Sequence, residues 1–322
     1  MSDLLFNSVA VTGGSGLLGR YVVRELMGDC EVRVLDLKPL PEDVPWHQVD
    51  SRDLDGVRAA LRGCDAVVHL AALDDGIVPE EEAFIDVNLR GTWHVLQAAE
   101  ELGIGRVVIA SSVAAVGVGD HNPPMVLPVP VDGPLRPKPS YGVTKKVCEE
   151  FARTFVRRGA LEVISLRPCL VAQPDIAYAI AQIAAEMEAV EPPPPATGAA
   201  WRDLRETLST TRAIVTPDDV ARAFRAALSV RGLSYGAYFI TGPDTCGHAP
   251  TIDLVSQGFG ITPEIARPSV YADDPRASAY DLVPAREELG WEPRDRWADY
   301  LARVIAAGGG IMSTGFIVLR GG

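Results

Sequence analysis

Tyr141 and Lys145 stand four residues apart in the segment SYGVTKK, residues 140 to 146, of a chain that holds four lysines against eight tyrosines. About 0.1 such pairs are expected by chance at those frequencies, so the spacing calls for a reason. On a helix, positions i and i+4 share a face. An ammonium fixed beside a phenol favours the phenolate, which makes Tyr141 a usable general base near neutral pH. A structural contact on a solvated helix face is the other reading of the pair.

A second set of residues suits a different task. The segment VAVTGGSGLLGRYV places Gly13, Gly16 and Gly19 between a β-branched run and a helical pattern. Gly13 permits a tight turn, Gly16 lets the backbone approach a pyrophosphate, and Gly19 lets the helix pack close to the strand. A phosphate held there would face unpaired amides at a helix N-terminus. Asp36 ends the next β-branched run, 20 residues after Gly16. A carboxylate at that place accepts both ribose hydroxyls and repels a 2′-phosphate, favouring NAD over NADP. Arg33 and Lys38 flank Asp36 and leave that preference open, and a solvated turn acid is the plainer reading of Asp36.

These residues need a scaffold, and the chain supplies one by alternation. SVAVT (8 to 12), EVRVLD (31 to 36), DAVVHLA (65 to 71), RVVIASS (106 to 112) and LEVISLR (161 to 167) read as strands apolar on both faces. Between them, GLLGRYVVRELM, LDGVRAALRG, EEEAFIDVNLRGTWHVLQAAEELG and YGVTKKVCEEFARTFVRRG read as helices. The alternation predicts an α/β fold of Rossmann type, a doubly wound parallel sheet over residues 1–171. Residues 172–322 read mainly as a smaller substrate-binding cap. They include helices at IAYAIAQIAAEMEAVE, PDDVARAFRAALS, AREELG and WADYLARVIAAG, a proline loop at 192–198, and a returning strand near 235–241 that joins the sheet. The glycine-bounded tail after residue 307 reads as a frayed end or an added edge strand.

Composition narrows the partners. Thirty basic residues against 43 acidic ones give a net charge of -13, a surface that repels phosphate backbones and argues against nucleic acid. Cys30, Cys64, Cys148, Cys169 and Cys246 are scattered singly, without the spacing of a metal site or a redox dithiol, and read as reduced thiols in a cytoplasmic protein. No bound metal is expected. The N-terminus shows no export signal, and no apolar run approaches the ~20 residues that span a bilayer.

With these motifs in place, the sequence resembles the extended short-chain dehydrogenase/reductase family. The resemblance covers nearly the whole chain and rests on TGGSGLLG, Asp36, Asp50, HLAA (69 to 72), Asn88 in VNLRGT, ASS (110 to 112), YGVTK and LRP (166 to 168). It implies NAD as cofactor and a catalytic set in which Ser112 hydrogen-bonds the substrate oxygen, Tyr141 moves its proton, and Lys145 holds the nicotinamide ribose while tuning Tyr141. It further implies that Gly13, Gly16, Leu17, Leu18 and Gly19 line the pyrophosphate, Asp36 the adenosine ribose, and Asp50 with Ser51 the adenine. Ala71, Ala72 and Asn88 would border the nucleotide, and Pro168 with Cys169 the nicotinamide.

Departures from the family's branches shape the expected reaction. Ser112 is followed by Val113 and Ala114, so the acid that nucleotide-sugar dehydratases use to expel water is missing. Leu170 and Val171 stand where UDP-galactose 4-epimerase has an asparagine-proline step. The segments ASS and YG.(S/T)K and the acidic end of the second strand look similar to uronate dehydrogenase. The expected activity is NAD-dependent hydride transfer at a secondary alcohol, hemiacetal or ketone of a sugar-like or sugar-acid substrate. An epimerase with retained NAD would use the same three catalytic residues, and a non-catalytic NAD-binding regulator is the reading from another class. Arg202, Arg205 and Arg212 would suit a carboxylate or a diphosphate equally. By position alone, Asp74, Asp75, His121, Asn122, Cys169 and Trp201 are pocket candidates, with surface or packing roles as the alternative. The resemblance also implies a homodimer built on helices near 82–102 and 141–158, with Phe151 and Phe155 on its apolar face or in the core.

Overall fold

The computed structural model describes residues 4–40, 43–74, 80–188, 208 and 211–307. In chain order the first half runs β1 (Ser8–Thr12), α1 (Gly19–Leu26), β2 (Glu31–Asp36), β3 (Trp46–Gln48), α2 (Leu54–Leu61), β4 (Ala66–His69), α3 (Glu81–Phe84), a π-helical turn (Ile85–Arg90), α4 (Gly91–Leu102), β5 (Arg106–Ala110), a 3-10 turn (Val113–Ala115), β6 (Val126–Leu127), α5 (Ser140–Arg157) and β7 (Glu162–Pro168). The remainder runs β8 (Leu170–Val171), α6 (Ala177–Met187), β9 (Ile214–Val215), α7 (Pro217–Ser229), β10 (Tyr235–Ile240), α8 (Thr251–Phe259), β11 (Glu264–Ile265), α9 (Pro268–Asp273), α10 (Val283–Leu289) and α11 (Trp297–Ala306).

Strands of the sheet bury both faces because successive side chains point to opposite sides. Val9, Val11, Val34, Val68, Val108 and Ile164 face α1 and α7 through Val22, Leu26, Val220 and Phe224. Ala10, Leu35, Val67, Val107 and Val163 face α2, α4 and α5 through Leu61, Leu96 and Phe155. The chain therefore forms a Rossmann-type doubly wound sheet, with seven strands in the order β10-β7-β5-β4-β1-β2-β3 and every pairing parallel.

Strand order reverses between β1 and β4, where Thr12 is in register with His69. Such a switch point opens a crevice beyond the carboxyl ends of the strands, because the following connections leave in opposite directions. The glycine loop and HLAA are the two segments that flank it.

Within residues 172–307, α7 and β10 belong to this sheet layer. β10 lies parallel to β7, and α7 packs beside α1, started by Thr216, whose Oγ1 accepts the Asp219 amide at 3.2 Å. α10 joins the same layer through Ala285 and Leu289, and the other pieces form two separate cores. One gathers α6, β9 and α11 around Ile180, Ile183, Trp297 and Tyr300, and the second gathers Leu127, Val255, Tyr271 and Tyr280.

Candidate active site

The glycine loop follows directly from the end of β1. Gly13 sits at φ +69°, and a Cβ there would lie 2.7 Å from the Ala71 amide nitrogen, so the turn and the close approach both require glycine. A Cβ on Gly19 would collide with the Gly13 carbonyl oxygen, which fixes α1 against the loop. Gly16 and Leu17 lie exposed on the loop, with Leu18 half-buried at the start of α1. The first turn of α1 has no side-chain cap and no acidic residue; its Arg20, Tyr21 and Val22 amides bond to the Gly16 and Leu18 carbonyls, so it is the positive end of the helix that suits an anion.

Asp36 ends β2 beside this loop. Its carboxylate accepts the amides of Ser15 at 3.0 Å and Lys38 at 3.2 Å, which ties the acid to the loop rather than leaving it to solvent. Arg33 points elsewhere: its guanidinium donates to the Ala60 and Arg62 carbonyls at 2.8 Å, at the C-terminal end of α2. One of the two cations flanking Asp36 is thus committed away from it.

Asp50 and Ser51 follow β3. Arg52 grips the Asp50 carboxylate through Nε and Nη2, at 3.0 and 2.6 Å, and this hydrogen-bonded cation holds the acid below its ordinary range. Ser51 lies against Gly91, where a Cβ would approach its Oγ to 2.5 Å. Beyond β4, Ala71 is half-buried and Ala72 exposed. Asn88 is buried in the π-helical turn and reads the backbone of Leu73 in both directions, accepting its amide at 2.8 Å and donating to its carbonyl at 3.1 Å. A π turn inserts one extra residue into a helix and often marks a functional position; here it aims Asn88 at the segment after HLAA.

The chemical residues lie around the ends of β5 and α5. Lys145 is buried on α5, and its Nζ donates to the Ala110 carbonyl at 2.8 Å while standing 5.4 Å from the centre of the Tyr141 ring. That bond uses one of the three ammonium donors. Burial lowers the Lys145 pKa from its ordinary value. Tyr141 is half-buried, its ring tilted against Phe84 with centroids 6.1 Å apart. Ser112 opens the 3-10 turn after β5, and its Oγ accepts the Ala114 amide at 3.1 Å, a bond that does not use the hydroxyl proton. Gly142 brings the two ends together: a Cβ there would lie 2.5 Å from the Ala114 carbonyl oxygen.

Behind these residues is a buried ion pair that sequence spacing does not show. Arg167 grips Glu149 with Nε and Nη2, both at 2.8 Å; Ser111 donates to the same carboxylate at 2.6 Å; and Arg167 Nη1 donates to the Val131 carbonyl at 2.7 Å. Glu149 continues the i, i+4 series of Tyr141 and Lys145, which is the one hint of it in the sequence. Pro168 and Cys169 follow Arg167 at the end of β7; Cys169 is buried, and burial drives its thiol pKa well above the ordinary value.

The cap candidates divide. His121 and Asn122 brace their own loop, with the His121 ring 3.0 Å from the Arg136 carbonyl and Asn122 Nδ2 donating to the Val116 carbonyl at 3.2 Å. Arg212 is buried and paired with Glu188, which also accepts the His248 amide at 2.8 Å. Asp74 is exposed after HLAA, and Asp75, Trp201, Arg202 and Arg205 lie outside the described residues. Among the described residues no cluster of His, Cys, Asp and Glu is arranged to hold a metal ion, and no helix is long and apolar enough to cross a membrane.

Known proteins bear on this arrangement. Over 176 residues the chain is 33% identical to the 3 beta-hydroxysteroid dehydrogenase/Delta 5-->4-isomerase of vaccinia virus (strain Ankara), a match covering 49% of this chain and 51% of that protein. It is 31% identical over 175 residues to uronate dehydrogenase of Pseudomonas putida, covering 52% of this chain and 62% of the other. The chain thus matches about half to two thirds of the length of these curated relatives. Among solved structures, MoeE5 in complex with UDP-glucuronic acid and NAD superposes with a TM-score of 0.66 at 26% identity, over 94% of this chain and 99% of that one. The model of the NAD dependent epimerase/dehydratase family matches residues 9–240. That stretch runs from β1 to the end of β10 and holds the whole seven-stranded sheet, the glycine loop, Ser112, Tyr141 and Lys145. In agreement with the resemblance read from its motifs, the chain belongs to the NAD dependent epimerase/dehydratase family.

Proposed function

We propose that this chain binds NAD in the crevice at the β1/β4 switch point and oxidises or reduces a sugar-like or sugar-acid substrate at a secondary alcohol, hemiacetal or ketone. The observation that carries the reading is the placement of Lys145, 2.8 Å from the Ala110 carbonyl and 5.4 Å from the Tyr141 ring, on a helix pressed against the Ser112 turn. The dinucleotide fits the residues present: the Gly13 to Gly19 loop gives close backbone approach, the uncapped first turn of α1 suits the pyrophosphate, and Asp36 suits the adenosine ribose.

When bound, NAD would supply the hydride acceptor. Tyr141 takes the proton of the substrate hydroxyl as the neighbouring C–H bond gives up its electron pair, and returns it when the reaction runs in reverse. Ser112 hydrogen-bonds the same oxygen and holds it at Tyr141. Lys145 keeps positive charge beside the phenol oxygen, and its donors not used by Ala110 suit the nicotinamide ribose. Asp50, Ser51, Ala71, Ala72 and Asn88 would border the nucleotide, with Pro168 and Cys169 at the nicotinamide.

Likeness to uronate dehydrogenase supports a free sugar or sugar acid as substrate. The pairing of Arg212 with Glu188 removes that cation from either reading, since it is already neutralised. A second reading is an epimerase acting on a nucleotide sugar with retained NAD; the likeness to MoeE5, whose structure holds UDP-glucuronic acid and NAD, favours the nucleotide-sugar part of it. A panel of uronates, aldoses and nucleotide sugars separates the two. Net NADH with a free sugar supports the first, and sugar interconversion without net NADH supports the second.

We also propose a homodimer through the outer faces of α4 and α5, where Trp93 packs edge-on against Phe151 at 5.2 Å and Phe155 at 5.1 Å. Phe155 is fully buried, so Phe151 and Trp93 are the aromatic residues left to contribute to such a face. Light scattering that gives the mass of one chain would remove the dimer.

A further inference from the structure

His69, the first residue of HLAA, has no role in the chemistry above, yet it is buried at the switch point with hydroxyls on both ring nitrogens. Its Nδ1 lies 2.7 Å from Thr12 Oγ1 and its Nε2 lies 3.0 Å from Thr92 Oγ1. The proton directions follow from the outer partners. Thr92 Oγ1 is 2.6 Å from the Asn88 carbonyl, which can only accept, so the single Thr92 hydroxyl proton is spent there. Thr92 therefore accepts from His69, and Nε2 carries the proton. Nδ1 of the neutral ring must then accept, taking the Thr12 hydroxyl proton, while Thr12 Oγ1 accepts the Ala71 amide at 3.3 Å.

The result is one directed chain: Ala71 N–H to Thr12, Thr12 to His69, His69 to Thr92, and Thr92 to the Asn88 carbonyl. It joins the end of β1 that launches the glycine loop, the segment after β4, and the π turn that carries Asn88. The Asn88 side chain extends it to α5, donating to Thr144 Oγ1 at 3.2 Å beside Lys145. Cys148, also on α5, brings its Sγ within 3.3 Å of Thr92 Oγ1.

We propose that His69, as the neutral Nε2–H tautomer, is a positioning residue that sets the glycine loop, Ala71 and Asn88 at the spacing the dinucleotide requires. The enclosed site suits the neutral ring, since burial and the nearby Lys145 ammonium both oppose a second proton.

The inference rests on the NAD reading, and its test combines titration with spectroscopy. Thr92→Val keeps the shape of the side chain and removes the hydroxyl, whereas Thr92→Ser keeps the hydroxyl. NADH fluorescence titration should show affinity weakened by about tenfold or more in Thr92→Val and within about threefold of wild type in Thr92→Ser. Wild-type affinity in Thr92→Val, or equal loss in both variants, overturns the relay. Should Thr92→Val not fold, nitrogen-15 spectra of the unaltered protein decide: a neutral Nε2–H signal for His69 is expected, and a neutral Nδ1–H ring or an imidazolium near neutral pH overturns it. A wild-type chain with no NADH affinity would instead sink the functional reading itself, whatever the tautomer.

Discussion

Arg167 and Glu149 meet fork to fork in the interior, with both nitrogen–oxygen contacts at 2.8 Å and neither residue more than 2% exposed. Glu149 lies one helical turn beyond Lys145, and Ser111, its second partner, adjoins Ser112. The pair thus fastens α5, β5 and β7 to one another at the site. Breaking a buried pair from one side strands the other charge, at a cost of roughly 3–5 kcal/mol, whereas replacing both partners by apolar groups of similar volume is often neutral. Glu149→Gln should therefore lower the unfolding free energy by about 3 kcal/mol in urea titration. The double variant Glu149→Met/Arg167→Met should recover most of it. A double variant no more stable than Glu149→Gln would contradict this reading of the pair.

Gly142 gives a test of geometry in the same helix. Its missing side chain lets the start of α5 approach the Ala114 carbonyl, and Gly142→Ala must open that gap or bend the turn. Overpacking of this kind costs about 1–3 kcal/mol. The expected outcome is a turnover loss larger than the change in NADH affinity, since Tyr141 and Ser112 are moved apart while the glycine loop is untouched. Comparing kcat with the NADH dissociation constant checks it.

Cofactor choice should follow Asp36. Removing its negative charge with Asp36→Asn takes away repulsion toward a 2′-phosphate while keeping a side chain of the same shape. NADH affinity should fall about tenfold and the preference over NADPH should shrink, as charge-assisted hydrogen bonds are worth roughly twice neutral ones. Fluorescence titration with both nucleotides reads this directly, and an unchanged ratio would remove Asp36 from the ribose site.

Stability should depend on His69 at mildly acid pH. Burial and then Lys145 lower its pKa from an ordinary 6.5 to about 3 in the folded chain. Between those values the unfolded chain binds the proton and the folded one does not, so this stabilisation is present above about pH 6.5 and is lost as pH falls. The slope approaches ~1.4 kcal/mol per pH unit. Urea titrations at about pH 7 and about pH 5 should show a steeper acid loss in wild type than in His69→Gln. Equal slopes would contradict the shift.

Much of this architecture is legible in the sequence because the sheet strands β1, β2, β4, β5 and β7 are apolar on both faces and stand out as short β-branched runs. β3 is not legible: its three residues Trp46, His47 and Gln48 lie at the sheet edge with little apolar content. Helices α8 and α9 are too mixed in composition for a periodic signal. The π turn at Ile85–Arg90 is hidden inside a stretch of ordinary helical pattern. In the site, Tyr141 with Lys145 and Gly16 with Asp36 are legible through fixed spacing. The partners of Glu149, Asn88 and His69 come from distant segments, so only folding brings them together. Arg212 shows the limit from the other side: its charge is plain in the sequence, but its pairing with Glu188 needs the end of α6 brought to the segment before β9.

The direct test of hydride transfer is nicotinamide absorbance during incubation with NAD and the panel of uronates, aldoses and nucleotide sugars, run beside Tyr141→Phe. The expected result is net NADH formation with a free sugar or sugar acid, reduced about 10²- to 10⁴-fold in Tyr141→Phe while NADH affinity stays within a few-fold of wild type. Turnover that survives intact in Tyr141→Phe would contradict the role given to the tyrosine. NADH bound without oxidation, reduction or interconversion of any sugar would contradict sugar hydride transfer altogether.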